Sequence, residues 1–296
     1  TLEKYRTMLA DQIQYFKVTQ YFFFKQWTEL KNYANQKGIQ IIGDMPIYVA
    51  ADSVEVWTKP ELFQLDKERN PLFVAGVPAD QFSVTGQLWG NPLYDWKEHK
   101  KQGYAWWIHR IEESFKIYDV LRIDHFKGFS DYWQVDGKAD IAKYGSWQPG
   151  PGYDLFKAVK EQLGNLPIIA EDLGNIDDKA RKLLADCNYP GMKILQFGFE
   201  DVSGKSLDSP HYCIPHSIVY TGTHDNDVTN GWYNGLTEQQ QQYINDYTHR
   251  SEDESICQAM IRQLFATVSN TAIATMQDVL DLPASSRMNV PSTIGE

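Results

Sequence analysis

The sequence predicts an α/β fold with a mostly parallel sheet and, among parallel architectures, a TIM (β/α)8 barrel. Three observations carry this. Helical and strand periodicities alternate along the chain, the pattern of strands joined by crossover helices. Asp44, Asp124, Glu171 and Asp225 stand at the C-terminal ends of separate apolar runs, where barrel enzymes assemble a site from several strands at once. No GxGxxG or GxxxxGK(S/T) turn follows the first strand, as an open nucleotide-binding sheet would require.

The elements follow in order. Leu9, Ile13, Phe16, Phe23, Trp27 and Leu30 recur at three-, four- and seven-residue steps, which predicts a long amphipathic helix closed by Gly38. "IQIIGDMPIYV" is then a short apolar strand ending near Asp44. Residues 51–96 are rich in turn signals such as "GVPAD" and "WGNPLYDW", and so long a segment in a compact domain is usually a functional loop or a small subdomain. A helix marked by Tyr104, Trp107, Ile108, Ile111 and Phe115 feeds "DVLRID". The alternation continues through "YDLFKAVKEQLG" into "LPIIAED", "DDKARKLLADC" into "MKILQFGF", then "HSIVYTGTHD", and a last helix from Glu252 into "TAIATMQDVL". Six strands are expected in all, within a single catalytic domain over residues 1–296 that carries a loop-rich insertion at about 51–96.

Bulk properties narrow the function. A net charge of -11 and a pI near 5.1 argue against nucleic acid as a partner, because phosphate contacts need clustered Lys and Arg. Cys187, Cys213 and Cys257 are odd in number and have no CxxC spacing, so neither a disulfide framework nor a zinc site is expected, and a reducing, cytoplasmic setting fits. No apolar run reaches membrane-spanning length, so no membrane partner is expected, and the opening "TLEKYRTMLADQIQYF" lacks the pattern of a signal peptide. Aromatics make up 14% of residues, several in loops that carry Gly and Pro; most such rings pack a core, and the remainder are candidate sugar platforms.

"LRIDHFKGF", Leu121–Phe129, concentrates the chemistry. Side chains alternate on a strand, so Arg122 and Asp124 share a face and a guanidinium sits beside a carboxylate. A single acid after a strand is commonly a helix N-cap, as Asp177 or Asp178 in "EDLGNIDD" would be; four acids on four strand ends point further. Retaining glycoside chemistry needs two carboxyl groups about 5–5.5 Å apart, and adjacent strands lie about 4.8 Å apart, so Asp124 and Glu171 on consecutive strands suit it. Arg122 favours the ionised form of Asp124, a nucleophile; Asp172 and the Asp124 charge raise the pKa of Glu171 toward a general acid. His224 and Asp225 of "YTGTHDND" are placed to hold sugar hydroxyls and to stabilise developing positive charge. A metal site is the competing reading, but no second His stands at ligand spacing from His224, so neither a metal nor another cofactor is expected.

Six segments in order, "GDMPIYVAADSVEVW", "GVPADQFSVTGQLWGNPLYDW", "LRIDHFKGF", "IIAEDLG", "YTGTHDND" and "QDVLDLPASSRMNVPST", resemble the 4-alpha-glucanotransferases of glycoside hydrolase family 77, in the alpha-amylase clan. The likeness runs from about Ile39 to the end of the chain. It implies a retaining transfer of α-1,4-glucan segments from a donor to the 4-hydroxyl of an acceptor, with maltooligosaccharides or α-1,4-glucan as partners. By motif position it makes Asp124 the nucleophile, Glu171 the acid/base and Asp225 the transition-state stabiliser. Arg122, His224, Asp44, Tyr48, Asn91 and Trp89 become substrate-binding residues, Trp89 as an aromatic lining the glucan groove. Against the family pattern the chain begins at Thr1 without the first barrel strands and stops at "STIGE", so a partial barrel is expected. Two other functions share these features: a hydrolytic α-amylase or α-glucosidase, and an inactive glucan-binding protein, which would usually have lost Asp124 or Glu171.

Overall fold

The structure is a computed structural model that describes residues 2–79, 83–174, 176–291 and 293. Asp80, Gln81 and Phe82 of the "GVPADQF" motif, Asn175 of "EDLGNIDD", and Ser292 and the terminal "IGE" lie outside the described residues. The described chain is mixed α/β and forms two compact units, Thr1–Asp124 with Gly128–Ile168, and His125–Lys127 with Ile169–Glu296.

The first unit opens with helices Leu2–Met8 and Ala10–Gln36. The second ends as expected, with Gly38 in the left-handed region (φ 75°) and its amide bonded to the Asn35 carbonyl. The helix buries no residue, however, and Tyr15, Phe16, Tyr21, Phe22 and Tyr33 are exposed, so its periodicity does not translate into a covered face. It is tied down near its end by Trp27, whose indole N–H donates to Ile117 O at 2.8 Å, and by Lys31, which donates to Tyr118 O at 2.8 Å and lies 3.4 Å from Asp119.

Among the described residues, six strands belong to this unit: β1 Ile42–Met45, β2 Phe73–Val77, β3 Gln87–Pro92, β4 Val120–Ile123, β5 Asp131–Asp136 and β6 Gly145–Pro149. β1 and β4 pair in parallel, with Asp44 opposite Arg122, and the Leu121 amide bonds to Pro167 O. The other four make an antiparallel sheet in the order β3-β2-β5-β6. The turn-rich 51–96 segment thus contributes two strands, and residues 131–149, not anticipated as strands, supply their partners. The core beneath is aromatic: Tyr94, Trp107, Phe129 and Phe156 are fully buried or nearly so, and each large side chain removed from water contributes about 1.5–3 kcal/mol.

The chain passes from the first unit to the second within β7, Ile168–Ala170. The Ala170 amide bonds to Pro190 O, and β8 Gly191–Ile194, β9 Ser217–Tyr220 and β10 Thr271–Ile273 pair in parallel in the order β10-β9-β8. All six strands expected from the apolar runs therefore form where they were placed. Helices Asp178–Cys187, Glu238–Thr248 and Ile256–Phe265 connect them, the first capped by Asp177 and the other two closed by capping boxes, Thr237 with Gln240 and Ser255 with Gln258. Leu195, Phe199, Val219, Ile244, Met260 and Leu264 form this unit's core.

Candidate active site

In the first unit the register between β1 and β4 builds a charge cluster. Arg122 lies directly across from Asp44 and two residues before Asp124, so both carboxylates flank one guanidinium. Arg122 Nη1 bonds Asp44 Oδ2, and its Nη2 lies 3.2 Å from Asp124 Oδ1. Arg122 is 7% exposed while both acids reach solvent, so the guanidinium works as a fixed base under two accessible carboxylates. The ladder extends one residue beyond β4, since the Asp124 amide bonds to Met45 O at 3.0 Å.

The segment that follows β1 is fixed by an aromatic cluster. Tyr94 is wholly buried; its hydroxyl donates to Ile47 O at 2.7 Å, and its ring stacks on Tyr48 at 5.9 Å. Arg110 donates to Pro46 O at 2.7 Å and to Ile47 O at 3.1 Å, and Asn91 donates to Val49 O at 3.0 Å. Tyr48 is buried, and burial pushes its phenol well above the usual tyrosine range, so at neutral pH it offers an O–H. Trp89 is 37% exposed, with its ring 6.3 Å from Tyr48. The wider expectation that loop aromatics are sugar platforms needs correction at two positions. Tyr94 is core, and Trp96 stacks on the buried Trp107 at 6.0 Å, so neither presents a free face.

In the second unit Glu171 directly follows β7. Its Oε2 accepts the amide of His125, the residue after Asp124 in the chain, at 2.8 Å, and its Oε1 accepts the Leu173 amide at 2.9 Å. His125 has a left-handed backbone (φ 48°), a conformation that His adopts more readily than most side chains. Burial, with a contribution from the nearby Lys127 charge, lowers its pKa to about 4, so its ring is neutral at neutral pH. Asp172, next in sequence to Glu171, accepts the Met192 amide at 2.7 Å, and burial raises its pKa. Asp177 takes the role of helix cap and also meets Lys127 at 2.7 Å.

The loop after β9 carries His224 and Asp225, each with a side chain 57% exposed, with His224 Nε2 3.4 Å from Asp225 Oδ2. Its tip is braced by residues to which sequence reasoning gave no role. Arg287 donates to Asp225 O at 2.9 Å; Asn289 donates to His224 O at 2.8 Å and lies 3.4 Å from Asp225 Oδ1. The signal was present in "SSRMN", quoted above as a motif without a function for its members. Inside the loop, Asn226 Oδ1 accepts both the Thr223 amide and hydroxyl at 2.9 Å. Gln196, buried, donates to Asp227 O at 2.9 Å; a Cβ on Gly222 would stand 2.9 Å from its Nε2, so a larger residue there would displace that amide.

Among the described residues, His109, Glu112 and Glu113 bring three possible metal-ligand atoms within 4.8 Å of one another. They lie one turn apart on the Ala105–Ile117 helix, mostly exposed, an ordinary solvated helix face. Among the described residues no helix is long and apolar enough to cross a membrane.

The family model described as 4-alpha-glucanotransferase, glycoside hydrolase family 77, matches residues 1–296. The chain is 54% identical to the 4-alpha-glucanotransferase of Streptococcus pneumoniae serotype 4 over 99% of its own length and 58% of that protein, and 46% identical to that of Clostridium butyricum over 99% and 60%. The solved amylomaltase of Streptococcus agalactiae in complex with acarbose superposes with a TM-score of 0.97 at 59% identity, covering 99% of this chain and 59% of that one. Amylomaltase from Corynebacterium glutamicum, at 16% identity and a TM-score of 0.73, covering 91% of this chain and 43% of that one, shares the fold. This chain therefore spans about three-fifths of the length of the relatives it matches. Whole-length agreement with the family model, together with acids at the ends of β1, β4 and β7 and beyond β9, establishes that the chain belongs to the 4-alpha-glucanotransferase family, glycoside hydrolase family 77.

Proposed function

We propose that the protein transfers segments of α-1,4-glucan to the 4-hydroxyl of an acceptor glucan or glucose, with retention at the anomeric carbon. The observation that carries this reading is the two-sided engagement of Arg122 by Asp44 and Asp124 at the ends of paired strands. Asp124 attacks the anomeric carbon of the donor while Glu171 gives its proton to the departing glycosidic oxygen, leaving a glucosyl ester on Asp124. Glu171, now a carboxylate, takes the proton from the acceptor 4-hydroxyl as that oxygen displaces Asp124. Two backbone amides orient the Glu171 carboxyl, the His125 N–H donating to Oε2 and the Leu173 N–H donating to Oε1. Asp225 faces the positive charge that develops on the sugar ring, and Arg122, His224, Asp44, Tyr48, Asn91 and Trp89 hold the glucan. The acarbose complex of the Streptococcus agalactiae relative supports an α-glucan ligand. The parallel strand pairs support a partial (β/α)8 barrel needing no cofactor, and the free cysteines support a reducing, cytoplasmic setting.

Maltotriose supplied to the intact protein is expected to yield glucose and a ladder of longer maltooligosaccharides with little net rise in reducing ends. A rise in reducing ends in step with donor consumed, and no ladder, makes the protein a hydrolase. Asp124→Asn should lower turnover by several orders of magnitude with binding largely kept, and retention of a tenth of the rate would remove its role as nucleophile. Glu171→Gln should lose far less with an α-glucosyl fluoride, whose leaving group needs no proton, than with maltotriose. Equal losses on both donors would mark Glu171 as structural.

A further inference from the structure

The loop between β9 and the Thr229–Asn234 helix is closed at its base by one carboxylate. Asp278 is 2% exposed, on the Met276–Val279 helix just after β10. Its Oδ2 accepts the Thr221 hydroxyl at 2.6 Å, and its Oδ1 accepts the Thr229 amide at 2.9 Å. Thr221 and Thr229 are fully buried and bound the segment that carries His224 and Asp225. Thr221 is itself fixed by its neighbours, its amide bonding to Ile273 O and its carbonyl accepting the Gln196 amide. Thr229 opens a helix whose N-cap, Val228, has no side chain to satisfy the first amides. Asp278 is fixed in turn, its amide bonded to Thr275 Oγ1 at 3.2 Å, and the Cys257 thiol lies 4.0 Å from its Oδ1.

We propose that Asp278 is a positioning residue for the reaction: it clasps the two ends of the 221–229 loop and so fixes where Asp225 and His224 stand, without touching substrate. The inference rests on the role given to Asp225 above. A helix cap would need only Thr229, and a core hydrogen bond only Thr221. One carboxylate joining both ends ties the loop base to the strand β10 that precedes it. Displacing a catalytic group by about 1 Å costs on the order of 100-fold in rate, and the exposed tip of this loop depends on its base for position.

The chemistry of the clasp sets the test. Asn at 278 keeps one acceptor for the Thr229 amide and offers an N–H that a reversed Thr221 hydroxyl accepts, so Asp278→Asn should retain most of the rate. Asp278→Leu removes both acceptors and leaves buried donors unpaired; Thr221→Val, isosteric, opens one arm with least risk to folding. In the intact protein, Thr221→Val and Asp278→Leu should lower kcat on maltotriose about 10- to 100-fold while KM stays within about twofold. Hydrogen exchange of amides 222–229 should speed up in both. With an α-glucosyl fluoride donor, the loss caused by Thr221→Val should shrink to under about twofold once Asp225 is already Asn. Losses that multiply independently of Asp225 would make Asp278 a general stability residue and overturn the proposal, as would unchanged exchange of the loop in Thr221→Val. If Asp225→Asn itself keeps the full rate, the role given to Asp225 fails and positioning through it fails too, while the exchange result separately decides whether the clasp exists.

Discussion

At the scale of single residues, aromatic side chains separate sharply by surroundings. Tyr94 spends its hydroxyl on Ile47 O and its ring on Tyr48, Trp96 and Trp107, whereas Trp89 is 37% exposed. Tyr94→Ala is therefore expected to cost about 3–5 kcal/mol of stability, read by denaturant unfolding, because a buried ring is removed and the Ile47 carbonyl loses a partner. Trp89→Ala should leave unfolding nearly unchanged but shift products from transfer toward hydrolysis, or weaken acceptor use. The reverse pattern would exchange their assignments. His99 provides a pH test. It is 1% exposed and packed among Tyr94, Trp96 and Trp106, and burial lowers its pKa to about 4. An unfolded His titrates near 6.5, so between pH 6.5 and 4 the unfolded chain holds a proton that the folded one refuses. Stability falls as pH falls through that window, by up to about 1.4 kcal/mol per pH unit for this group. His99→Leu should flatten the slope between pH 7 and 5, and an unaltered slope would show that His99 titrates normally.

At the scale of elements, the parallel strands were legible and the antiparallel sheet was not, for a physical reason. "IIGDM", "VLRID", "LPIIA", "MKIL", "SIVY" and "TAI" are short apolar runs between helical periods, and burial from both sides produces such runs. β2, β3, β5 and β6 are mixed in polarity, and their pairing joins 73–92 to 131–149 across β4, a relation no local pattern encodes. The pair Arg122 and Asp124 was readable because strand alternation is a local rule. Asp44 opposite Arg122 depended on register, and Asp278 reaching Thr221 and Thr229 depends on contacts about fifty residues apart in sequence. The capping boxes were equally local, though not singled out in advance. Ser255→Ala should lower stability by about 1 kcal/mol in thermal unfolding, since the Gln258 amide loses its acceptor; no shift would mean the box is redundant with packing.

At the scale of the whole molecule, the aromatic helix Ala10–Gln36 governs solution behaviour. Seven of its aromatic rings, Tyr15, Phe16, Tyr21, Phe22, Phe23, Phe24 and Tyr33, are exposed among the described residues, and exposed apolar side chains in such number favour association. The 296-residue chain by itself is expected to bind hydrophobic dyes and to elute as more than a monomer in size-exclusion chromatography; a sharp monomeric peak without dye binding would contradict this. The register of β1 on β4 has a broader consequence. A slip of one residue would turn Arg122 to the opposite face of its strand, and every apolar neighbour with it. Asp124, two residues on along the same strand, turns with it, but Asp44 on the partner strand does not, so the buried cation keeps one carboxylate and loses the other. The hydrogen-bond ladder that folds this pair of strands is thus proofread by the charges placed along it. A mis-threaded chain forfeits stability at the very residues proposed for catalysis, so a chain unable to carry the proposed reaction is also the one most open to proteolysis.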